Sequence, residues 1–214
     1  ELLEAFFVKD ADFVKKFKNS SAAKSVHHGF VGGLLEHTLS VAQMCEFYCK
    51  QYPILKRDLL IAAALCHDIG KIREISAFPV NDYTDEGQFI GHIVMGVEMI
   101  GEKIHDIPGF PRLLALELKH CILAHHGELE FGSPKKPALV EAVALNFADN
   151  TDAKMETLKE IFNLEDLSKT NEIPYYSFKE KTQKNETLNL DKKETNKEFN
   201  NNIYENIEDE LNLK

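Results

Sequence analysis

The residues of this chain that can do chemistry begin with a dipeptide, His67-Asp68, in the stretch Cys66-His67-Asp68-Ile69-Gly70-Lys71 at the end of an apolar run. Neutral imidazole and ionised carboxylate suit the same borderline cations, and a carboxylate has a second oxygen with which to bridge two ions. Alone, the pair is a common coincidence: a helix end where either side chain merely satisfies backbone groups. Its weight depends on further donors. Nine histidines are many for 214 residues, and seven of them stand at His27-His28, His37, His67, His92 and His125-His126. Together with Asp149 they offer His37, His67, Asp68, His92, His125 and Asp149 as metal ligands. Burying so many imidazoles and two carboxylates without partners would be costly, and a divalent metal centre of one or two ions removes that conflict. His37, His67, Asp68 and Asp149 would make one mixed nitrogen and oxygen site, and Asp68 could bridge to a second ion held by His92 and His125. Adjacent helical residues point about 100° apart, so of His125 and His126 one is expected to ligate and the other to hold a phosphate or a supporting carboxylate.

Helices must deliver these groups. Apolar spacing over residues 1–19 gives two packing helices, the second capped by Asp10 or Asp12. A loop rich in Ser, Ala, His and Gly leads from Ser20 to Gly33 into a long helix, about Leu34 to Gln51, closed by Pro53. His37 lies three residues after Leu34 and four before Val41, on their inward face. The next helix, 57–68, is apolar nearly all round and therefore central, and Gly70 is placed to end it. From Tyr83 to Ile90 the pattern reads as two extended pieces about a glycine turn, a small β-hairpin near residues 80–90. His92 opens a helix to about Ile104, and after Pro108-Gly109-Phe110-Pro111 another ends at His125-His126-Gly127. Pro137 is placed to open the last core helix, which carries Asp149 inward between Leu145 and Ala153.

The composition, 43% hydrophobic, supports one sizeable core over residues 1–164. Residues 165–214, rich in Asn, Lys, Glu and Thr, read as a polar tail, disordered or partly helical, with a candidate helix from Asn196 to Leu211. The formal net charge is -10, of which the tail carries -4 and residues 1–164 carry -6, so the tail does not disguise a basic core. That balance excludes holding nucleic acid by overall electrostatics and leaves only a local basic groove. No run of about 18 apolar residues and no signal-peptide pattern are present, so the chain reads as cytoplasmic and free of the membrane. Cys45, Cys49, Cys66 and Cys121 sit in apolar helical patterns without C-x-x-C spacing and read as buried thiols. The start at Glu1-Leu2-Leu3, in helical style and without Met, is expected of a fragment.

A single His, then His-Asp, then a distant Asp, all on helices, resembles the HD-domain metal-dependent phosphohydrolases, with His37, His67, Asp68 and Asp149 in those places. Longer stretches narrow the likeness. Residues 22–41, containing Gly32-Gly33-Leu34-Leu35-Glu36-His37, together with His67-Asp68-Ile69-Gly70-Lys71, Tyr83-Thr84-Asp85-Glu86-Gly87 and His125-His126-Gly127, are similar to the YhaM-type 3'-to-5' exoribonucleases over roughly residues 20–155. The resemblance implies an all-α HD-domain helical bundle and a phosphodiester hydrolase. It implies a 3'-to-5' exonuclease on single-stranded RNA or DNA, releasing nucleoside 5'-monophosphates with Mn2+ as the favoured ion and Fe, Co, Ni, Zn or Mg as others. Asp68, Lys71 and His126 are then the expected catalytic residues, and His28, Lys71 and His126 the expected substrate contacts. Members of that group carry an OB-fold domain ahead of the HD domain, so an upstream domain is expected to be missing here. Two alternatives stay open: an HD-type hydrolase of nucleotides, cyclic nucleotides or (p)ppGpp, and a non-catalytic metal-stabilised module that docks RNA or protein. A homo-oligomer is compatible with either.

Overall fold

Four phenylalanines at the start of the chain gather into one aromatic cluster because two short helices, α1 (Leu2–Phe7) and α2 (Ala11–Asn19), meet at a capped turn. The Asp10 carboxylate accepts the Phe13 N–H at 2.9 Å and starts α2. Phe6, Phe7, Phe13 and Phe17 then pack with ring centroids 5.0–5.7 Å apart. Lys103 closes the cluster, its ammonium 2.8 Å from Asp10 and 5.6 Å from the Phe6 ring centroid. These are the packing helices the spacing predicts.

The computed structural model describes residues 1–24 and 29–161, with side chains as far as residue 159. The expected tail and its candidate helix, and His27 and His28, lie outside the described residues. Glu1–Glu160 form one compact unit. After α2 come α3 (Gly33–Gln51), α4 (Arg57–Cys66), α5 (Lys71–Glu74), α6 (Asp85–Phe89), α7 (His92–His105), α8 (Arg112–Ala124), a 3-10 turn (Leu129–Phe131) and α9 (Val140–Ile161). None of these helices is long and apolar enough to cross a membrane.

The central helix is α4, as its composition predicts. Ala63 and Ala64 are fully buried, and these small side chains let α3 and α8 pack closely on either side. Leu34, Val41 and Cys45 of α3, Leu118, Cys121 and Ile122 of α8, and Leu145 and Ala148 of α9 complete the core around it.

Three expectations need correction. No strand forms among the described residues; a single antiparallel bridge joins Ile75 to Tyr83, and residues 85–89, spanning the expected glycine turn and its flanks, form α6 instead. The Thr84 hydroxyl accepts the Gly87 N–H at 2.9 Å, with Asp85 and Glu86 in the first turn, and this cap starts the helix that packs on α5. Gly70 does not end α4, which stops at Cys66; its φ is −64°, and α5 follows directly. Its lack of a side chain serves a close approach, since a Cβ there would lie 2.0 Å from the His92 carbonyl oxygen. Finally, α9 opens at Val140 rather than at Pro137, and the Ala138 N–H before it donates to the His120 ring nitrogen at 2.9 Å.

Candidate metal centre

Helix ends build the site. His67 is the C-cap of α4, His125 the C-cap of α8, and His92 the first residue of α7, while His37 and Asp149 project from inside α3 and α9. Each of the five clustered imidazoles, His126 included, has its Nδ1 facing an acceptor. His67 Nδ1 meets the Ala64 carbonyl at 2.8 Å and His125 Nδ1 the Ile122 carbonyl at 2.7 Å, each three residues back along its own helix. His126 Nδ1 meets the Phe131 carbonyl at 3.0 Å. His37 and His92 use carboxylates, Asp152 at 2.6 Å and Glu74 at 2.9 Å. A proton held on Nδ1 leaves the Nε2 lone pair for a cation, the usual way a supporting group fixes a ligand's tautomer.

Those Nε2 atoms converge on two carboxylates. His37 Nε2 lies 3.2 Å from Asp149 Oδ1 and 3.5 Å from Asp68 Oδ2, and His67 Nε2 lies 3.4 Å from the same Asp68 oxygen. The other Asp68 oxygen, Oδ1, faces His92 Nε2 at 3.4 Å and His125 Nε2 at 3.7 Å. Asp68 therefore presents one oxygen to each half of the site. The halves are two sets of donors within 4.8 Å of one another: His37, His67 and Asp149; and His92, His125 and His126. His126, assigned from its sequence position to substrate and catalysis, is thus brought into the second donor set, because it follows the end of α8, where the chain leaves helical geometry.

Electrostatics matches this donor set. Asp68 Oδ1 and the Nε2 atoms of His92 and His125 are buried without a hydrogen-bond partner among the described residues, while Asp68 Oδ2 faces the Lys71 ammonium at 2.6 Å. Buried polar atoms are rarely left so, and their types, imidazole nitrogen and carboxylate oxygen, are those that suit a divalent ion. Burial pushes the His37 imidazole down, but the hydrogen bonds it donates to the Asp149 and Asp152 carboxylates and the nearby Asp68 charge outweigh it and raise it to about 9. Without a cation, the carboxylates hold a proton there in its place. Asp68 sits well below the ordinary carboxylate range, burial being overcome by the Lys71 and His67 charges, and Asp149 is lowered by His37 against the same opposition. Burial above all holds His125 well below its ordinary range, and burial and His92 lower His126, so both remain neutral donors.

Lys71, expected as a catalytic residue and substrate contact, stands beside this centre. It opens α5, is 15% exposed, and sets its ammonium 2.6 Å from Asp68 Oδ2. It also lines a cavity of about 280 Å3 with His37, His126, Asp149 and Asn150. Glu74, Asp152, Ser40 and Asn146 were not found from sequence. Ser40 donates to Asp152 beneath His37, Glu74 accepts both the backbone N–H and the ring N–H of His92, and Asn146 donates to the His125 carbonyl at 2.7 Å. Asp152 had a usable signal, since it lies three residues after Asp149 on one helix face.

The HD domain family profile matches residues 34–154. The chain is 40% identical over 143 residues to the 3'-5' exoribonuclease YhaM of Bacillus velezensis, covering 67% of this chain and 45% of that protein. It is 39% identical to the YhaM of Bacillus subtilis over 143 residues, 67% of this chain and 45% of the relative. It is 42% identical to that of Oceanobacillus iheyensis over 152 residues, 68% and 47% of the two chains. The chain thus spans less than half the length of these relatives. No solved structure matches it significantly.

Proposed function

We propose, from the premise that this chain belongs to the HD-domain family, that its centre hydrolyses phosphodiester bonds of single-stranded RNA from the 3' end and releases nucleoside 5'-monophosphates. The observation that carries the reading is Asp68, whose two oxygens face two separate donor sets, Oδ1 being buried without a hydrogen bond of its own. The substrate class follows the relatives, which are named 3'-5' exoribonucleases. His37, His67, Asp68 and Asp149 would hold one divalent ion, and Asp68, His92, His125 and His126 a second. Manganese suits this mixture of nitrogen and oxygen donors, and iron, cobalt, nickel, zinc and magnesium share parts of the same preference. Ions bound there supply an acidified water and neutralise charge on the phosphoryl oxygens.

The remaining work belongs to the protein. Lys71 spends one of its three donors on Asp68 and has others to offer a non-bridging phosphate oxygen from the cavity wall. Asp149 is less enclosed than Asp68, 15% against 2% exposed, and is the carboxylate placed to take the proton of the attacking water. Burial and the neighbouring His92 disfavour the charged form of His126, which suits a ligand better than a cationic phosphate contact. His28 as a further substrate contact lies outside the described residues.

Digestion of a 5'-end-labelled single-stranded RNA with added Mn2+ tests the reading. A ladder that shortens from the 3' end, with 5'-monophosphates as products, is expected, and the His67→Ala, Asp68→Ala double variant should lose it by at least about a thousandfold. Hydrolysis of mononucleotides alone would move the protein to the nucleotide hydrolases. A metal-loaded protein that cleaves no phosphodiester would leave the docking module.

A further inference from the structure

One aromatic ring stands in the open beside this chemistry. Phe131 is 64% exposed, yet its backbone is held on every side. It closes the 3-10 turn with its N–H on the Glu128 carbonyl at 3.1 Å, and its own carbonyl receives His126 Nδ1 at 3.0 Å. Just beyond, the buried Ser133 hydroxyl bonds the carbonyls of Leu123 and Lys135 at 3.0 and 2.8 Å. The ring is therefore presented from a fixed frame rather than from a loose loop. It lines the same cavity as His37, Lys71, His126 and Asp149, and Asn150 of α9 lines it too. At about 280 Å3 that cavity lies near the lower end of small-ligand sites, roughly 300–1,000 Å3. One nucleotide unit suits it better than a paired end.

The charge balance makes such a platform necessary. At a net charge of -10 the chain repels a polyanion at long range, so affinity for a strand end has to come from local contacts. Base stacking is the contact that does not depend on charge, and it tolerates any base because every base has a π-face.

Resting on the exonuclease reading above, we propose that Phe131 is the stacking platform for the 3'-terminal nucleobase, with Asn150 offering its carboxamide to the edge of that base. The ring fixes the terminal nucleoside on the cavity wall while its phosphate meets Lys71 and the donor sets. Recognition is then of an unpaired base of any identity, which makes the substrate a single strand without sequence preference.

The test compares kcat/KM of the full chain, with Mn2+, on two oligoribonucleotides that differ only in carrying a base or an abasic sugar at the 3' end. The wild type should favour the base-bearing end by about 10- to 100-fold, mainly through KM. Phe131→Ala should bring that ratio close to one, and Phe131→Tyr should restore it. Metal uptake by Phe131→Ala, followed by calorimetry, should match the wild type, because His126 bonds the backbone carbonyl of Phe131 and not its ring. A wild-type ratio near one, or an unchanged ratio in Phe131→Ala, overturns the platform while leaving the exonuclease reading intact. Loss of an ion from Phe131→Ala overturns it as well, since the residue would then be a support for His126. Failure of the wild type to shorten either strand removes the exonuclease reading, and the platform with it.

Discussion

An imidazole can hold a cation only in the tautomer that leaves the facing nitrogen bare, and in this site the tautomer is set by groups outside the motif. His67 and His125 use one device: each caps a helix and returns its Nδ1 proton to the carbonyl three residues back. His37 and His92 have no such carbonyl and depend on Asp152 and Glu74. Removal of Asp152 should therefore weaken metal binding without removing a ligand. For Asp152→Ala we expect a loss of about 10- to 100-fold in affinity at the His37 site, read by competition with a chromogenic chelator; an affinity equal to the wild type's would show that His37 orients itself. The motif residues were legible because metal chemistry admits few residue types and helical spacing shows which face they share. Glu74 and Asp152 were not, because they lie 18 and 115 residues from the imidazoles they hold, and only the folded chain brings them together. The cysteines were legible in the same way as the core: burial pushes Cys45, Cys66 and Cys121 each up to about 12, whereas Cys49 is only partly enclosed. Ellman's reagent should therefore find no more than one reactive thiol in the native protein, Cys49, and four in denaturant; two or more native thiols would contradict the packing of α4.

Elements meet at this centre more tightly than any pattern could reveal. The turn after α4 and the first turn of α7 touch at Gly70, where an added Cβ would lie 2.0 Å from the His92 carbonyl oxygen. Both contacting groups are backbone, so neither can swing aside, and relief requires α5 and α7 to part. Gly70→Ala is expected to cost about 2–4 kcal/mol in urea unfolding and to weaken the donor set containing His92. Gly101, inside α7, is the opposite case. Its added Cβ would meet only the end of the flexible Lys119 side chain at 3.0 Å, so Gly101→Ala should be neutral or stabilise by up to about 1 kcal/mol. Equal effects of the two substitutions would mean that the approach of α7 to Gly70 is looser than described. The same neighbourhood explains why the β-hairpin was misread: Gly87 belongs not to a turn between strands but to α6, where a Cβ would lie 2.3 Å from the Glu74 carbonyl oxygen. Local sequence carried the Thr84 cap as plainly as the alternation, and the close packing of α6 on α5 is what favoured the helix.

At the scale of the whole unit, the donors come from both ends of the described chain. His37 is on α3, Asp68 follows α4, His92 opens α7, His125 follows α8, and Asp149 is on α9, so cations at the two donor sets, sharing Asp68, join five elements that are apart in the unfolded chain. Without the cation, the protein holds buried carboxylates and unpartnered nitrogens against one another, with the His37 proton and the Lys71 ammonium as its compensation. Binding removes that strain from the folded state alone, and by linkage a metal at a hundred times its dissociation constant should add about 2.7 kcal/mol of stability. For a unit of this size such a gain raises the thermal midpoint by about 5–10 °C. Differential scanning fluorimetry after dialysis against EDTA, then with Mn2+ restored, should show the midpoint fall and recover, and His67→Ala, Asp68→Ala should show no response to the ion. A midpoint that ignores the ion in the wild type would mean that the donors are satisfied by one another, and the shared carboxylate of Asp68 would then have to be explained by packing alone.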